Sequence, residues 1–458
     1  MPTARSSNGV RTPPITTARL ANGLRAVVVP DRATHVACVA VVYDVGMRAE
    51  PPGRTGFAHL VEHLMFAGSR RAAPGGHARF VQGVGGTFNG STAADRTCFH
   101  QVVPPAAVER VLALEADRMA GPVLTPDALA AQRAVVREEV RGKTLHRPYG
   151  GFPRVPVSAL LFDEFAYAHD GFGSLADLEA ATLEDAVAFV EQHYRPRHAV
   201  VAVVGDVDPD DVLAAVQRWF GDLPAGASAP AAPRARPASL AADRTARSWD
   251  PLAPVPALAC AWRVPDPADL AAYLPYVLLA DLLGDGATGR LARALVRRAG
   301  VAHAVGAGLD LAGDPFDVRD PTGLVATAFL RPGADPAHAL RLVDDELAAV
   351  AAHGVPADEL ERLHAVATAR TWARVERPAR RALAVATALL QRDRPSLPWE
   401  VPGLLAQVGP ADLRAAAADL GAAPRAVHVV LPGEPGAGPG SAPDATGPRE
   451  RTSAGAVA

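Results

Sequence analysis

Two histidines and a glutamate within five residues form the most informative pattern in this chain. His59, Glu62 and His63 lie in the segment GFAHLVEHLMFAGS, residues 56 to 69. On a helix, side chains at positions i and i+4 lie about 5–6 Å apart on one face, so both imidazoles can reach one Zn²⁺ ion. Glu62 falls about 60° to one side of His59, where its carboxylate can contact a water at the metal. The spacing therefore predicts a helix that supplies two metal ligands and a general base.

A catalytic zinc site has three protein ligands and an open position, so a third ligand is expected elsewhere in the chain. The segment that opens at Thr125-Pro126 has a favourable helix start. On its helical wheel, Glu139 lies about 60° from the apolar Val136, whereas Glu138 faces water. A glutamate beside an apolar stripe usually keeps its carboxylate at the surface, so this position alone does not define a ligand.

Composition excludes several classes of function. The chain has 458 residues, 49% of them hydrophobic, and a net charge of −3. This charge gives no sign of a nucleic-acid partner or of a basic membrane-binding surface. The N-terminal segment has no apolar signal-peptide core and no apolar run has the length of a membrane span, so a cytoplasmic protein without a membrane partner is expected. Three widely spaced cysteines, Cys38, Cys98 and Cys260, indicate reduced structural thiols.

Strand and helix patterns divide the chain into two halves. Glycine and polar residues bound a predicted hairpin at 85–104, and the order of strands and helices after residue 250 repeats that of the first half. We interpret the second half as a degenerate duplication of the first. The predicted organisation is a flexible N-terminus at 1–15, a first domain at 16–224, an Ala- and Pro-rich linker at 225–249, a second domain at 250–432 and a disordered tail at 433–458.

HLVEH, with a glutamate 76 residues after His63 inside VVREEV, resembles the M16 family of zinc metallopeptidases, which includes pitrilysin and the mitochondrial processing peptidase. The order H-x-x-E-H is the inverzincin signature. LANGLRAVVV, FNGSTAADRT and HYRPRHAVVAVVGDVDPDDV also look like the family, so the resemblance covers nearly the whole chain. It implies an α+β fold of two homologous α/β sandwich domains, each a mixed or antiparallel sheet covered by helices. This fold is similar to LuxS and the processing peptidase and forms half of a clamshell.

The resemblance also implies roles for single residues. His59, His63 and Glu139 match the family's zinc ligands, and Glu62 matches its general base. The expected activity is a zinc-dependent endopeptidase that hydrolyses unfolded peptides or leader segments.

FNGSTA resembles the family's substrate-binding edge strand. There, Asn89 could hold the peptide backbone and Gly90 would let it approach closely. The alternative is that Asn89-Gly90 is an ordinary hairpin turn.

The chain departs from the family pattern in its second half. Where the family has an Arg and a Tyr that hold substrate, in a pattern like LREKRGLAYSV, this chain has LVRRAGVAHAV, with Val296 and His303 at those positions. His303 could donate a hydrogen bond in place of Tyr or be an ordinary packed histidine. The neighbouring Arg297 and Arg298 point about 100° or more away on a helix, so neither is a simple replacement.

The family also commonly has a glutamate seven residues before its glutamate ligand, where this chain has Gln132. Gln132 can accept a hydrogen bond behind the metal site but brings no charge.

We therefore hypothesise that the chain is the metal-bearing subunit of a heterodimer. A second M16-like subunit would carry the Arg and Tyr. The alternative is a non-catalytic scaffold or core subunit of the same fold. A purely structural zinc site fits poorly, because such sites usually fill all four positions with Cys and His.

Overall fold

The computed structural model describes residues 12–226, 237–309 and 311–433. The predicted tail after Gly433, residues 1–11 of the predicted flexible N-terminus and residues 227–236 of the predicted linker lie outside them. The strands are β1 (Thr16–Arg19), β2 (Arg25–Pro30), β3 (Ala37–Tyr43), β4 (Thr87–Thr92), β5 (Thr97–Val103), β6 (Ala199–Gly205), β7 (Arg244–Asp250), β8 (Ala257–Arg263), β9 (Ala302–Gly308), β10 (Gly323–Leu330) and β11 (Ala426–Pro432).

The described residues also contain fifteen α-helices. They are α1 (Phe57–Leu64), α2 (Gly76–Gly83), α3 (Val108–Ala120), α4 (Pro126–Val140), α5 (Arg154–Leu161), α6 (Phe165–Ala168), α7 (Leu175–Ala180), α8 (Leu183–His193), α9 (Pro209–Phe220), α10 (Leu270–Gly284), α11 (Pro336–His353), α12 (Ala357–Glu376), α13 (Pro378–Arg392), α14 (Leu397–Leu405) and α15 (Pro410–Ala422). Two short π-helical stretches occur at Arg141–Leu145 and Ala292–Arg298.

The first sheet has the order β1-β2-β6-β3-β5-β4. β2 and β6 are parallel and the other neighbours are antiparallel. Every residue of β3 and β6 is buried, as expected for apolar strands covered on both faces. One cover is α13, whose Ala382, Val385 and Leu389 pack in a core with Val27, Val42 and other residues of the sheet.

The second sheet has the order β7-β11-β8-β10-β9. Its parallel pair, β7 with β11, stands where β2 and β6 stand in the first sheet, and its remaining neighbours are antiparallel. Five strands thus correspond in order and direction, with β9 and β4 at equivalent edges. On one face of the second sheet, Val157 and Leu161 of α5 pack with Ala259 and Val325.

Packing divides the described residues into two compact units. The first contains 12–138, 171–226 and 369–403, and the second contains 139–170, 237–368 and 404–433. Each unit therefore includes a segment from the other half of the chain: α13 belongs to the first, and α5 and α6 belong to the second. The linear domain bounds of the sequence analysis do not describe this exchange and stay a prediction.

Two elements differ from what the sequence pattern indicated. β7 begins at Arg244, inside the segment predicted as a linker. Its residues RTARSWD alternate between half-buried and exposed, so it lacks the apolar signal of a central strand and is held by parallel pairing with β11. The helix on which Arg297 and Arg298 were placed is a π-helical stretch over Ala292–Arg298. Among the described residues, no helix is both long enough and apolar enough to cross a membrane.

Candidate metal centre

The N-terminus of α1 is held by a buried carboxylate. Glu50, 3% exposed, accepts hydrogen bonds from the backbone N–H groups of Gly56 (2.9 Å) and Ala58 (2.8 Å). Gly56 is the N-cap with φ 78°, a conformation that favours glycine. The first N–H groups of a helix have no partner within the helix, and a negative charge there is favourable. Glu50 therefore fixes where α1 begins. The helix ends at Leu64.

Thr55 fixes the chain just before this helix. Its backbone N–H and its hydroxyl both donate to Asp177 Oδ2, at 2.9 and 2.5 Å. Burial acts to raise the pKa of Asp177, but the hydrogen bonds from Thr55 and the other donors outweigh it and hold this pKa below its usual value. The entry to α1 is therefore tied to α7 by an ionised carboxylate.

His59 and His63 present their ring nitrogens to one point. Their Nε2 atoms lie 3.2 Å apart and both side chains are half-buried. Two nitrogens that bind one tetrahedral zinc at 2.0–2.1 Å are separated by about 3.3 Å, so this pair has the separation that a shared zinc ion requires.

Glu139 lies on the last turn of α4, whose start at Pro126 is capped as predicted by Thr125, which accepts from Ala128 N at 3.2 Å. The boundary between the packing units follows Glu138, but α4 is continuous across it. Ligand atoms of His59, His63 and Glu139 all lie within 4.8 Å of one another. The structure thus brings the three predicted ligands together; their role in metal binding stays a prediction.

The two neighbouring glutamates differ as the helical wheel predicted. Glu139 is half-buried, whereas the Glu138 side chain is 63% exposed. Glu139 Oε2 also accepts a hydrogen bond from Lys143 Nζ at 2.9 Å, one turn further on. The ammonium of Lys143 therefore lies against the candidate ligand carboxylate.

Glu62 faces the edge strand of the first sheet. It is 7% exposed, and its Oε2 accepts a hydrogen bond from Thr92 Oγ1 at 2.7 Å. Thr92 belongs to β4, the last strand in the sheet order. At Gly90 of the same strand, a Cβ atom would lie 2.5 Å from Glu62 Oε1 and 2.9 Å from the Phe66 ring. The general-base candidate is thus enclosed by β4.

Asn89 and Gly90 lie inside β4, opposite His100 and Phe99 of β5. The alternative that they form the hairpin turn is therefore wrong, since the turn runs from Ala93, whose N–H donates to the carbonyl of Arg96 at 2.8 Å. The Asn89 side chain is exposed and accepts from Gly90 N at 2.9 Å. Substrate binding by Asn89 and Gly90 stays a prediction.

The other predicted site residues lie on α4 and in the second unit, and their roles stay predictions. Gln132 is half-buried on α4, two turns before Glu139. His303 is exposed on β9 and Val296 is half-buried in the second π-helical stretch, both in the second unit. Arg297 donates to the Ala287 carbonyl at 2.6 Å, and Arg298 pairs with Glu346, so both adjacent arginines are engaged locally.

Sequence reasoning missed Glu50 and Thr92, because no spacing rule connects either to the metal helix. It also missed a buried pair, Glu115 with Arg118, although charges three residues apart on the apolar side of a helix were a signal.

The Arg118 guanidinium lies over the rings of Phe99 (4.5 Å) and Phe66 (5.0 Å). Burial, together with this guanidinium, lowers the pKa of His77 to about 3, so His77 is a neutral packed histidine. Arg118 therefore packs against β5 and against the residues that follow α1.

Two family models match the chain. The model "Insulinase (Peptidase family M16)" matches residues 25–144, which contain Glu62 and the three candidate ligands, and "Peptidase M16 inactive domain" matches residues 180–366.

The zinc protease PqqE of Helicobacter pylori is 34% identical over 206 residues, which are 44% of this chain and 46% of that protein. The mitochondrial-processing peptidase subunit beta of Blastocladiella emersonii is 26% identical over 208 residues, 45% of this chain and 44% of that one. The chain thus aligns with about half the length of these relatives.

A solved structure has the same fold over nearly the whole chain. A protease from Helicobacter pylori superposes with a TM-score of 0.83 and 25% identity, over 92% of this chain and 100% of that one. With both family models, this shows that the chain belongs to peptidase family M16. The predicted fold class, two α/β units each built on a helix-covered sheet, is confirmed.

Proposed function

We propose that this chain is a zinc-dependent endopeptidase that hydrolyses unfolded peptides or leader segments. The observation that carries the proposal is the cluster of His59, His63 and Glu139, whose ligand atoms lie within 4.8 Å of one another. Zinc also suits this donor set, because two imidazoles and one carboxylate leave a fourth position open, as catalytic sites do. Relatives that bear the name zinc protease support the same metal.

Each residue of the cluster has a distinct task. His59 and His63 would hold the metal through their ring nitrogens, and Glu139 would hold it through its carboxylate. Zinc, when bound, polarises the scissile carbonyl and lowers the pKa of water to about 7. Glu62 accepts a proton from the attacking water and passes it to the leaving amine, which is work that a carboxylate at this position can do.

The peptide is held as an extended strand along β4. This strand is at the edge of its sheet and pairs with β5 on its other side, so an extended peptide can add to it through backbone hydrogen bonds. Asn89, exposed on β4, would hold the peptide backbone. Gly90 has no side chain, so the peptide could approach the strand closely at that point.

The chain works as one subunit of a pair. Its second half offers Val296 and His303 where the family has its substrate-holding Arg and Tyr, so a second M16-like subunit supplies those groups. A relative that is named as a subunit of the mitochondrial processing peptidase supports this arrangement.

The proposed location is the cytoplasm, because all three cysteines are buried and free, as is usual for reduced thiols in that compartment. Cell fractionation tests this location.

The second candidate is a non-catalytic scaffold. The match of residues 180–366 to a domain described as inactive favours it for the second half of the chain. The presence of His59, Glu62, His63 and Glu139 together favours the peptidase, because a scaffold has no need of this set.

The test combines zinc analysis with peptide cleavage. The purified chain is assayed alone and after co-expression with an M16 chain that carries Arg and Tyr in the second half. We expect one zinc per chain in both samples and cleavage only in the pair. Full activity of the single chain would contradict the two-subunit proposal. Bound zinc with no cleavage in either sample would favour the scaffold.

A further inference from the structure

Both carboxylate oxygens of Glu62 lie against one face of β4. Oε2 accepts the hydrogen bond from the Thr92 hydroxyl at 2.7 Å, and Oε1 occupies the space that a side chain at position 90 would fill. Gly90 and Thr92 are two residues apart, so they are on the same face of the strand. Both are half-buried, whereas Asn89 and Ser91 on the opposite face are exposed.

The hydrogen of the Thr92 hydroxyl is committed to Glu62. A threonine hydroxyl has one hydrogen to donate. The neighbouring Thr97 hydroxyl uses its own for the Val45 carbonyl at 2.9 Å, and its oxygen lies 3.4 Å from Thr92 Oγ1. Thr97 is fully buried and Glu62 is 7% exposed, whereas Thr92 is half-buried. Thr92 is therefore set as a donor toward the carboxylate.

We infer that Thr92 is a positioning residue for Glu62, and that Gly90 is glycine because the Glu62 carboxylate needs the room. The inference rests on the proposed function, in which Glu62 is the general base. It gives β4 two tasks: its free edge aligns the peptide, and its inner face aligns the base. Glu62 and the scissile bond are then placed by the same rigid strand, which is the precision that proton transfer requires.

The test begins with Thr92→Val, which keeps the shape and removes the donor. We expect kcat to fall about 10–100-fold, as for other residues that orient a metal-site group, with KM within about twofold and zinc content unchanged. Thr92→Ser restores the hydroxyl and is expected to recover most of kcat. A purely structural role would not separate kcat from KM or be rescued by serine.

The matched control is Thr322→Val in the second unit. Thr322 is fully buried, and its hydroxyl has no hydrogen-bond partner among the described residues, so the same substitution there loses no hydrogen bond. It is expected to leave kcat, KM and zinc content unchanged. If Thr322→Val lowered kcat as much as Thr92→Val does, the inference would be wrong.

A second variant, Gly90→Ala, keeps the Thr92 hydroxyl and fills the space beside Glu62 Oε1. We expect its crystal structure to show the carboxylate moved away from Thr92, with lower kcat and retained zinc. Wild-type kcat in both Thr92→Val and Gly90→Ala would overturn the inference while leaving the peptidase proposal intact. If the wild-type pair itself cleaves no peptide, the proposed function fails instead; an unmoved Glu62 in the variant structures would overturn the positioning role independently.

Discussion

The two units contain sheets in which five strands correspond, but they differ in the helix that lies beside the edge strand. In the first, β4 is flanked by α1, which carries two histidines and Glu62 on a helix capped by Glu50. In the second, the corresponding strand β9 follows α10, LAAYLPYVLLADLLG, which is apolar nearly all round and mostly buried. Two sheets with corresponding strands therefore need not carry the same candidate site. The difference between the units lies in the side chains of the short helix α1.

The two helices differ in how much of their surface is buried in the core of their own unit. α1 has one buried side and one half-buried side, so His59 and His63 remain accessible to a metal while Leu60 and Leu64 are buried. α10 has ten buried residues in fifteen and therefore serves as core. Among the described residues, the group of His59, His63 and Glu139 is the only set of three or more that could hold a metal ion.

Removing a ligand should have the largest effect and breaks the comparison from the first unit. His63→Ala leaves two ligands, too few for a catalytic zinc site, so zinc content and cleavage should both collapse. We expect a loss in kcat/KM of more than about 100-fold, beyond the range of residues that only orient ligands. His303→Ala, on β9 of the second unit, is the control for zinc content, which it should leave at one per chain. Equal zinc in the two variants would contradict the assignment.

The cap of α1 gives the next largest effect. Glu50→Gln replaces one acceptor oxygen by an NH₂ group that faces a backbone N–H, so a buried donor loses its partner. We expect the free energy of unfolding to fall by about 3 kcal/mol, with weaker zinc binding, by denaturation and zinc competition.

The matched change in the second unit is Asp335→Asn. Asp335 caps α11 through Ala337 N at 2.9 Å on the exposed surface. Asparagine keeps an oxygen that accepts this bond and removes only the charge near the helix N-terminus, so the change should cost about 1 kcal/mol or less and leave zinc affinity unchanged. The expectation for Glu50 would be wrong if both variants behaved alike.

Gln132→Glu should give the smallest effect and sharpens the comparison by moving the first unit towards the family pattern. A charge two turns before Glu139 favours a bound cation, so zinc affinity should rise about tenfold, measured by competition with a chelator. Glu138→Gln is the control, because its side chain faces water on the same helix. Unchanged affinity in Gln132→Glu would show that this position does not act on the metal.

The sequence specified the local parts of this site well. The apolar stripe of α4 placed Glu139 at its border and Glu138 in water, and the Thr125-Pro126 start is where the helix begins. These features depend on neighbours within one or two turns, where periodicity carries the information.

Contacts across long stretches of chain could not be predicted in this way. Thr92 meets Glu62 across 30 residues, and α13 covers the first sheet from the other half of the chain. Such contacts depend on how helices and strands pack together, and a single sequence does not reveal this packing. β7 was missed because an edge strand held by backbone pairing needs no apolar signature.

The most direct test of the account is Glu62→Gln, assayed with the partner subunit under conditions in which the wild type cleaves. Glutamine keeps the shape of the side chain but cannot take the proton from water. The account predicts one zinc per chain, as in the wild type, and a kcat about 10²–10⁴-fold lower. Full zinc with undiminished kcat would contradict it.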